Sequence, residues 1–267
     1  MYIFKFEFLG LTIAPTYYGL MYVLAFIASY ILVKKGLKLS TKKMDDLLLY
    51  TFIGVILGGR LGYILFYDLT YYLANPIDLI KTWEGGMSFH GGVIGVILAM
   101  YFFNKKYKIG FLRLADEVCF TLPIGLGFGR IGNYINKELL GFSPYDGPLA
   151  VYINSVGHFP SPLLEATLEG IVLFFILYYF KLKKLEINKL KNFKIVKPRY
   201  YFLLPKNDGQ IAALFLIFYS FFRIFVEIFF RMPDSQIGYI LGFLTMGEIL
   251  SLPMLIIGIF YYLKLSK

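Results

Sequence analysis

Charge is scarce in this sequence. Asp, Glu, Lys and Arg make up 16% of its 267 residues, where soluble domains carry about 25%, and that shortfall excludes an ordinary soluble fold. Cysteine is scarcer still: Cys119 stands alone, which rules out an internal disulfide and any multi-cysteine metal site. It lies in an apolar stretch, where a small buried packing residue is expected. His90 is one of two histidines and has neither a second histidine nor a carboxylate at ligand spacing, so no metal site is expected. No long Pro/Ser-rich or repetitive segment divides the chain. Residues 1–267 read as a single polytopic membrane domain.

Apolar side chains fill the remaining positions. Hydrophobic residues account for 58% of the chain and aromatics for 19%, with mean hydropathy +0.66. A helix needs about 20 apolar residues to cross the hydrocarbon, and seven runs approach that length, at 17–33, 47–66, 91–103, 118–128, 163–180, 211–230 and 249–263. Six runs follow the first, which therefore reads as a retained span and not a cleaved signal peptide. The runs at 91–103 and 118–128 are short and must borrow flanking glycine and polar residues. That predicts broken or re-entrant backbone there, tolerated only where it is buried in protein or lines a wet cavity.

The net charge of +10 follows the loops. Lys and Arg number five in 34–46, four in 104–117, nine in 181–210 and two in 264–267. The other seven are Lys5, Arg60, Lys81, Arg130, Lys137, Arg223 and Arg231. The positive-inside rule then puts the N-terminus out and the C-terminus in. The basic excess is thus a topology signal with some attraction to anionic lipid, not a nucleic-acid footprint. Three polar patches fall on the extracytoplasmic side of this arrangement: WEGGMSFHGG (83–92), GRIGNYINKELLG (129–141) and the end of the sixth run. Their convergence points to an outward-facing site.

Tyr219, Arg223, Glu227 and Arg231 recur every four residues, which places them near one face of the sixth helix. A structural Arg223–Glu227 pair is the plain alternative, yet an arginine deep in a span costs about 2.5–3.5 kcal/mol on insertion scales. Leucines could replace a merely structural pair. Arg130 and Asn133 are neighbours at i, i+3 if the helix continues through GRIGN. Two arginines reaching one pocket from different helices suit a phosphate, because the guanidinium fork matches its oxygens; a snorkelling interfacial arginine is the alternative for Arg130. His90 could carry a proton near neutral pH or serve as a plain hydrogen-bonding residue. Gly54, Gly58 and Gly62 predict close helix packing, with Arg60 between them unexplained by packing. Tyr17, Tyr18 and Tyr22 read as interfacial belt residues.

With these residues in view, the chain resembles the prolipoprotein diacylglyceryl transferase family along nearly its whole length. GRIGNYINKELLG resembles the signature G-R-x-G-N-[FY]-x-N-x-E-x-x-G, and YYGLMY, GGRLGYILFYD, GGMSFHGG, FRIFVE with RMPDSQ, and TMGEILSLPM resemble further family blocks in the expected order. The resemblance implies an all-α integral membrane protein of seven transmembrane helices with a small extracytoplasmic head region, N-terminus out and C-terminus in. It implies transfer of the diacylglyceryl group of phosphatidylglycerol to the lipobox cysteine thiol of prolipoprotein signal peptides, giving a thioether and glycerol 1-phosphate. The expected setting is the bacterial cytoplasmic (inner) membrane, with the site near its extracytoplasmic face, no cofactor and a monomeric enzyme. Carried over by motif, His90, Arg130 and Arg223 are the catalytic residues. Tyr18, Asn133, Asn136, Glu138, Gly141, Tyr219, Glu227 and Arg231 are the substrate-binding ones. Two positions depart from the pattern. FPSPLLE stands where the family commonly reads HPSQLYE, with His158 one place upstream and Glu165 retained, so His158 is given no role. Glu248 replaces a usual glutamine and either alters the pocket's charge or is solvated.

The nucleophile of this reaction comes from the substrate, so no enzyme cysteine is needed. His90 is the candidate base or proton relay, and Arg130 and Arg223 would stabilise charge building on the departing phosphate. Two non-enzyme readings remain: a secondary transporter using intramembrane charges, and a scaffold that binds anionic phospholipid.

Overall fold

A computed structural model of the chain describes residues 4–8, 11–67, 69–81, 86–192, 204–232, 238, 240 and 244–267. Helices dominate: α1 (Tyr17–Leu37), α2 (Thr41–Tyr67), α3 (Leu69–Ala74), α4 (Phe89–Tyr107), α5 (Phe111–Asn136), α6 (Ser161–Glu165), a π-helical segment (Ala166–Val172), α7 (Leu173–Asn192), α8 (Gln210–Phe230) and α9 (Met246–Ser266). A 3₁₀ turn spans Pro76–Ile80. Two small antiparallel hairpins complete the description, β1 (Phe6–Phe8) with β2 (Leu11–Ile13) and β3 (Val151–Ile153) with β4 (Val156–His158).

Among the described residues five helices are long and apolar enough to cross a membrane: Tyr17–Leu37, Thr41–Leu65, Ser161–Lys189, Gln210–Phe229 and Met246–Ser266. The predicted breaks in the third and fourth runs do not occur. α4 is a continuous helix of 19 residues and α5 one of 26, with Pro123 inside it. Hydropathy truncated both because their ends are polar or glycine-rich, whereas the backbone keeps its own hydrogen bonds through such residues. The distorted turn lies elsewhere, in the π-helical segment between α6 and α7.

The chain divides into two compact units, residues 34–115 and residues 1–33 with 116–267. In the first, α2 and α4 are in backbone contact through small residues, as the four-residue glycine spacing predicted. A Cβ on Gly95 would overlap the Gly54 carbonyl and stand 3.0 Å from the Gly58 Cα, and Gly58 approaches Gly91 equally closely. Such contact lets long helices pack without a hydrophobic driving force between them. Arg60, left unexplained by packing, is buried at 5% exposure. Its Nε donates to the Leu79 carbonyl at 3.0 Å, Nη1 to Gly86 at 3.3 Å, and Nη2 to Asp78. The arginine ties down the segment leading into α4 by binding three of its backbone carbonyls.

The second unit has its apolar core where α5, α7 and α8 meet, built on Phe120, Leu173, Leu177, Ile211, Leu214 and Phe215. At one end of this core Asp116 of α5 accepts the N–H groups of Gly209 (3.0 Å) and Ala212 (2.9 Å) and pairs with Lys184 at 2.7 Å. α8 has no side-chain cap of its own, since Gly209 precedes it. The neighbouring helix therefore supplies the acceptor for its orphan first-turn donors. α9 has its own cap: Thr245 N donates to Glu248 Oε2 at 2.7 Å and Glu248 N to Thr245 Oγ1 at 3.2 Å. Glu248 is thus not solvated; it is a buried member of a capping box.

Candidate active site

The α5 helix runs unbroken through GRIGN to Asn136, so Arg130 and Asn133 lie one turn apart. Beyond it the chain turns sharply, with Lys137 and Leu139 in the left-handed region at φ 58° and 55°. Side chains of the motif hold that turn. Asn133 Nδ2 donates to Glu138 Oε2 at 3.2 Å, Asn136 Nδ2 to Glu138 Oε1 at 3.3 Å, and the Glu138 N–H to the Asn133 carbonyl at 2.8 Å. Gly141 then donates its N–H to Phe159 at 2.9 Å and pairs across a single antiparallel bridge with Arg231. The motif's last residue is thereby tied to the end of α8.

Tyr219, Arg223 and Glu227 lie on α8 as the spacing predicted, whereas Arg231 falls just past its end in extended conformation (φ −103°, ψ 152°). Its side chain still turns back into the site. Three arginines meet three carboxylates here. Glu165 sits 2.7 Å from Arg130 Nε, 2.8 Å from Arg223 Nη1 and 3.2 Å from Arg231 Nη1. Glu227 pairs with Arg223 Nη2 and stands 3.6 Å from Arg231 Nε. Glu169 stands 3.6 Å from Arg130 Nη2 and 3.8 Å from Arg223 Nη1. The carboxylate side chains are 0–4% exposed and the guanidinium ones 11–16%. Each charge is thus taken from water and offset by its neighbours.

Sequence reasoning found the arginines and Glu227 but assigned no role to Glu165 or Glu169. The signal was present, as two acids one turn apart inside the apolar text LLEATLEGIVLF. Both are entirely buried. The predicted Arg223–Glu227 pair is present, but as one edge of a six-residue cluster. Hydrogen bonds among the described residues use Nη1 and Nη2 of Arg223 and Nη1 of Arg231, leaving donors on both guanidinia free of a hydrogen bond. Unused donors beside buried positive charge are suited to an anion.

Tyr18 also reaches this unit's signature motif. Its ring lies against Gly132, where a Cβ would come within 3.0 Å of Cε2, and its hydroxyl is 3.0 Å from that of Tyr22. Tyr219 stacks on Phe215 with ring centroids 5.5 Å apart. Of the WEGGMSFHGG patch, Trp83, Glu84 and Gly85 lie outside the described residues, as does the side chain of His90. The His90 backbone occupies the first turn of α4, whose N-cap Ser88 accepts the Gly91 N–H at 3.3 Å. His158 stands in β4 paired with Val151. Among the described residues no cluster of three or more His, Cys, Asp or Glu is arranged to hold a metal ion.

Known proteins are similar to this chain over more than nine-tenths of its length. The sequence model described as prolipoprotein diacylglyceryl transferase matches residues 5–264. Proteins named phosphatidylglycerol–prolipoprotein diacylglyceryl transferase are similar throughout: one from Rickettsia bellii is 45% identical over 260 residues, covering 94% of this chain and 91% of the relative. One from Pasteurella multocida is 48% identical over 251 residues (91% and 84%), and one from Bordetella avium 41% over 276 residues (98% and 96%). A buried arginine cluster joined to the GRIGNYINKELLG turn, on a chain of membrane-length helices matched from end to end, makes this multi-pass membrane protein a member of the prolipoprotein diacylglyceryl transferase family.

Proposed function

We propose that the chain moves the diacylglyceryl group of phosphatidylglycerol to the thiol of a prolipoprotein lipobox cysteine, releasing glycerol 1-phosphate. The observation that carries this reading is the convergence of Arg130 and Arg223, from two helices, on the buried Glu165 at 2.7 and 2.8 Å, in a chain whose relatives carry that activity in their names. Sulfur attacks the glyceryl carbon bonded to phosphate, the C–O bond breaks, and its electron pair goes to the phosphate oxygen. Arg130 and Arg223 turn their remaining N–H groups to that oxygen, and fixed donors in a dry site stabilise developing charge most strongly. Glu165 keeps both guanidinia oriented before substrate arrives. Arg231 and Glu227 complete the frame, and Tyr18, Tyr219, Asn133, Asn136, Glu138 and Gly141 shape the headgroup site. His90 serves as a proton relay.

Seven crossings, with α4 and α5 joining the five apolar helices, match the alternation of basic loops along the sequence. They put the N-terminus out, the C-terminus in and the hairpin β3–β4 in an extracytoplasmic head of the bacterial inner membrane. The enzyme acts as a monomer. The test is purified protein in phosphatidylglycerol micelles with a lipobox peptide, following glycerol phosphate release and the peptide's mass gain. Cysteine-dependent release, abolished in a folded Arg130→Ala variant, supports the reading. Absence of release from folded wild-type protein refutes it, and flux of a solute in proteoliposomes would then favour a transporter.

A further inference from the structure

The three carboxylates of the cluster differ in one respect. Glu165 accepts hydrogen bonds from Arg223 and Arg231, and Glu227 accepts one from Arg223. Glu169 is fully buried and neither of its oxygens has a hydrogen-bond partner. Buried polar groups are nearly always paired, and an exception calls for an explanation. The groups that face Glu169 are Arg130 from α5, Arg223 and Tyr219 from α8, Arg231 just beyond α8, and Glu165 one turn earlier. Its position is fixed all the same. It lies in the π-helical segment, a distortion frequent at functional sites. The adjacent Gly170 is pressed onto α5, where a Cβ would come within 2.7 Å of the Gly127 Cα.

We propose that Glu169 is the group that takes the thiol proton during transfer, an inference that rests on the transferase reading. Its contacts to Arg130 and Arg223, at 3.6 and 3.8 Å, are longer than those of Glu165, at 2.7 and 2.8 Å. An arriving phosphodiester therefore displaces Glu169 first, and Glu165 keeps its grip on the arginines. The sulfur attacks a carbon bonded directly to a phosphate oxygen, so a carboxylate sharing its arginines with that phosphate lies within reach of the S–H. The step balances. The S–H bond breaks with its proton passing to a Glu169 oxygen, the sulfur pair forms the S–C bond, and the C–O bond to phosphate breaks with its pair on oxygen. As the phosphate goes from one negative charge to two, the cluster goes from neutral to one net positive, so the total charge of the dry site is unchanged. A low-dielectric site favours a step that creates no net charge.

The experiment compares wild type, Glu169→Gln and Glu169→Asp in the phosphatidylglycerol and lipobox-peptide assay between pH 5.5 and 9. Glutamine keeps the shape and an accepting oxygen but cannot take the proton. Expected for Glu169→Gln is a kcat lowered about 10²–10⁴-fold at neutral pH with little change in KM for the lipid. Its rate should climb about tenfold per pH unit towards the thiol pKa of about 8.5, as thiolate forms in solution, and Glu169→Asp should regain part of the loss. A Glu169→Gln enzyme with the wild-type kcat and pH profile would overturn the proposal, as would one altered in KM alone, which is the mark of an arginine-positioning role. If Glu169→Gln does not fold, Glu169→Asp decides, because a displaced acceptor must change its kcat and pH profile; wild-type values there overturn the proposal. Wild-type protein that releases no glycerol phosphate would instead remove the transferase reading itself, and this inference with it.

Discussion

Replacing Glu165 by glutamine tests whether the cluster is held by charge. The carboxylate has no exposure and touches three guanidinia, at 2.7, 2.8 and 3.2 Å. A pair of unit charges 4 Å apart is worth about 4 kcal/mol at an effective dielectric of 20, and the desolvation of each ion cancels much of it. What is lost on removing one partner of a buried pair is about 3–5 kcal/mol, because the remaining charge stays buried without compensation. Glu165→Gln leaves three guanidinia facing two carboxylates. The expected loss is therefore about 3–5 kcal/mol, or roughly 10²–10³·⁵ in the folding equilibrium at 1.4 kcal/mol per decade. Equilibrium unfolding in mixed micelles, followed by circular dichroism, would measure it. Combining the change with Arg231→Gln removes one of the unbalanced positive charges, so the double variant should be less destabilised than the sum of the singles by about 1–3 kcal/mol. A Glu165→Gln protein within about 1 kcal/mol of wild type, additive with Arg231→Gln, would refute the reasoning.

Other expectations rest on separate contacts. Gly95→Ala puts a methyl into the Gly54 carbonyl, and since backbone cannot step aside, the α2–α4 pair should lose at least the usual overpacking cost of about 1–3 kcal/mol in the same unfolding measurement. Gly132→Ala drives the Tyr18 ring from its seat; displacements of about 1 Å cost up to about 10²-fold in rate, so transfer should fall far more than stability, as paired kinetic and unfolding data would show. Asp78 accepts hydrogen bonds from Lys81 and from the Tyr71 hydroxyl (2.7 Å), which hold its carboxyl below the usual carboxylate range, Lys81 contributing most. Because that pKa is depressed by folding, the contribution is complete above the unfolded value of about 3.9 and disappears as pH falls through the folded one. Amide exchange over 75–81 should accelerate, relative to its intrinsic rate, only in that acid window.

How far the sequence could be read depends on where each signal lies. The α8 face was legible because helical spacing is local, whereas the helix through GRIGN stood only as a condition, because its two glycines weaken a helix without ending it. The Glu165–Glu169 pair was passed over because an acid in an apolar run reveals nothing of the arginines it meets, which come from other helices. Arg60 resisted reading for a different reason: its partners are carbonyls 18, 19 and 26 residues away, and a carbonyl carries no side-chain identity. The π-helical segment leaves the helical spacing of its text almost unchanged, so no period count finds it. The short third and fourth runs misled because hydropathy records what faces lipid, whereas α4 and α5 continue on backbone hydrogen bonds through glycine and charge.

The cap that α5 gives to α8 also bears on the order in which the protein is made. Asp116 leaves the ribosome more than ninety residues before the N–H groups it accepts at Gly209 and Ala212, so the acceptor is already in the membrane when α8 arrives. α8 cannot terminate itself, because Gly209 has no side chain to do so. Its final placement therefore waits on a helix inserted earlier, and the chain assembles in the direction it is synthesised. An Asp116→Ala chain should stall at that last docking, visible as a protease-sensitive α8 in nascent chains where the wild type is already protected.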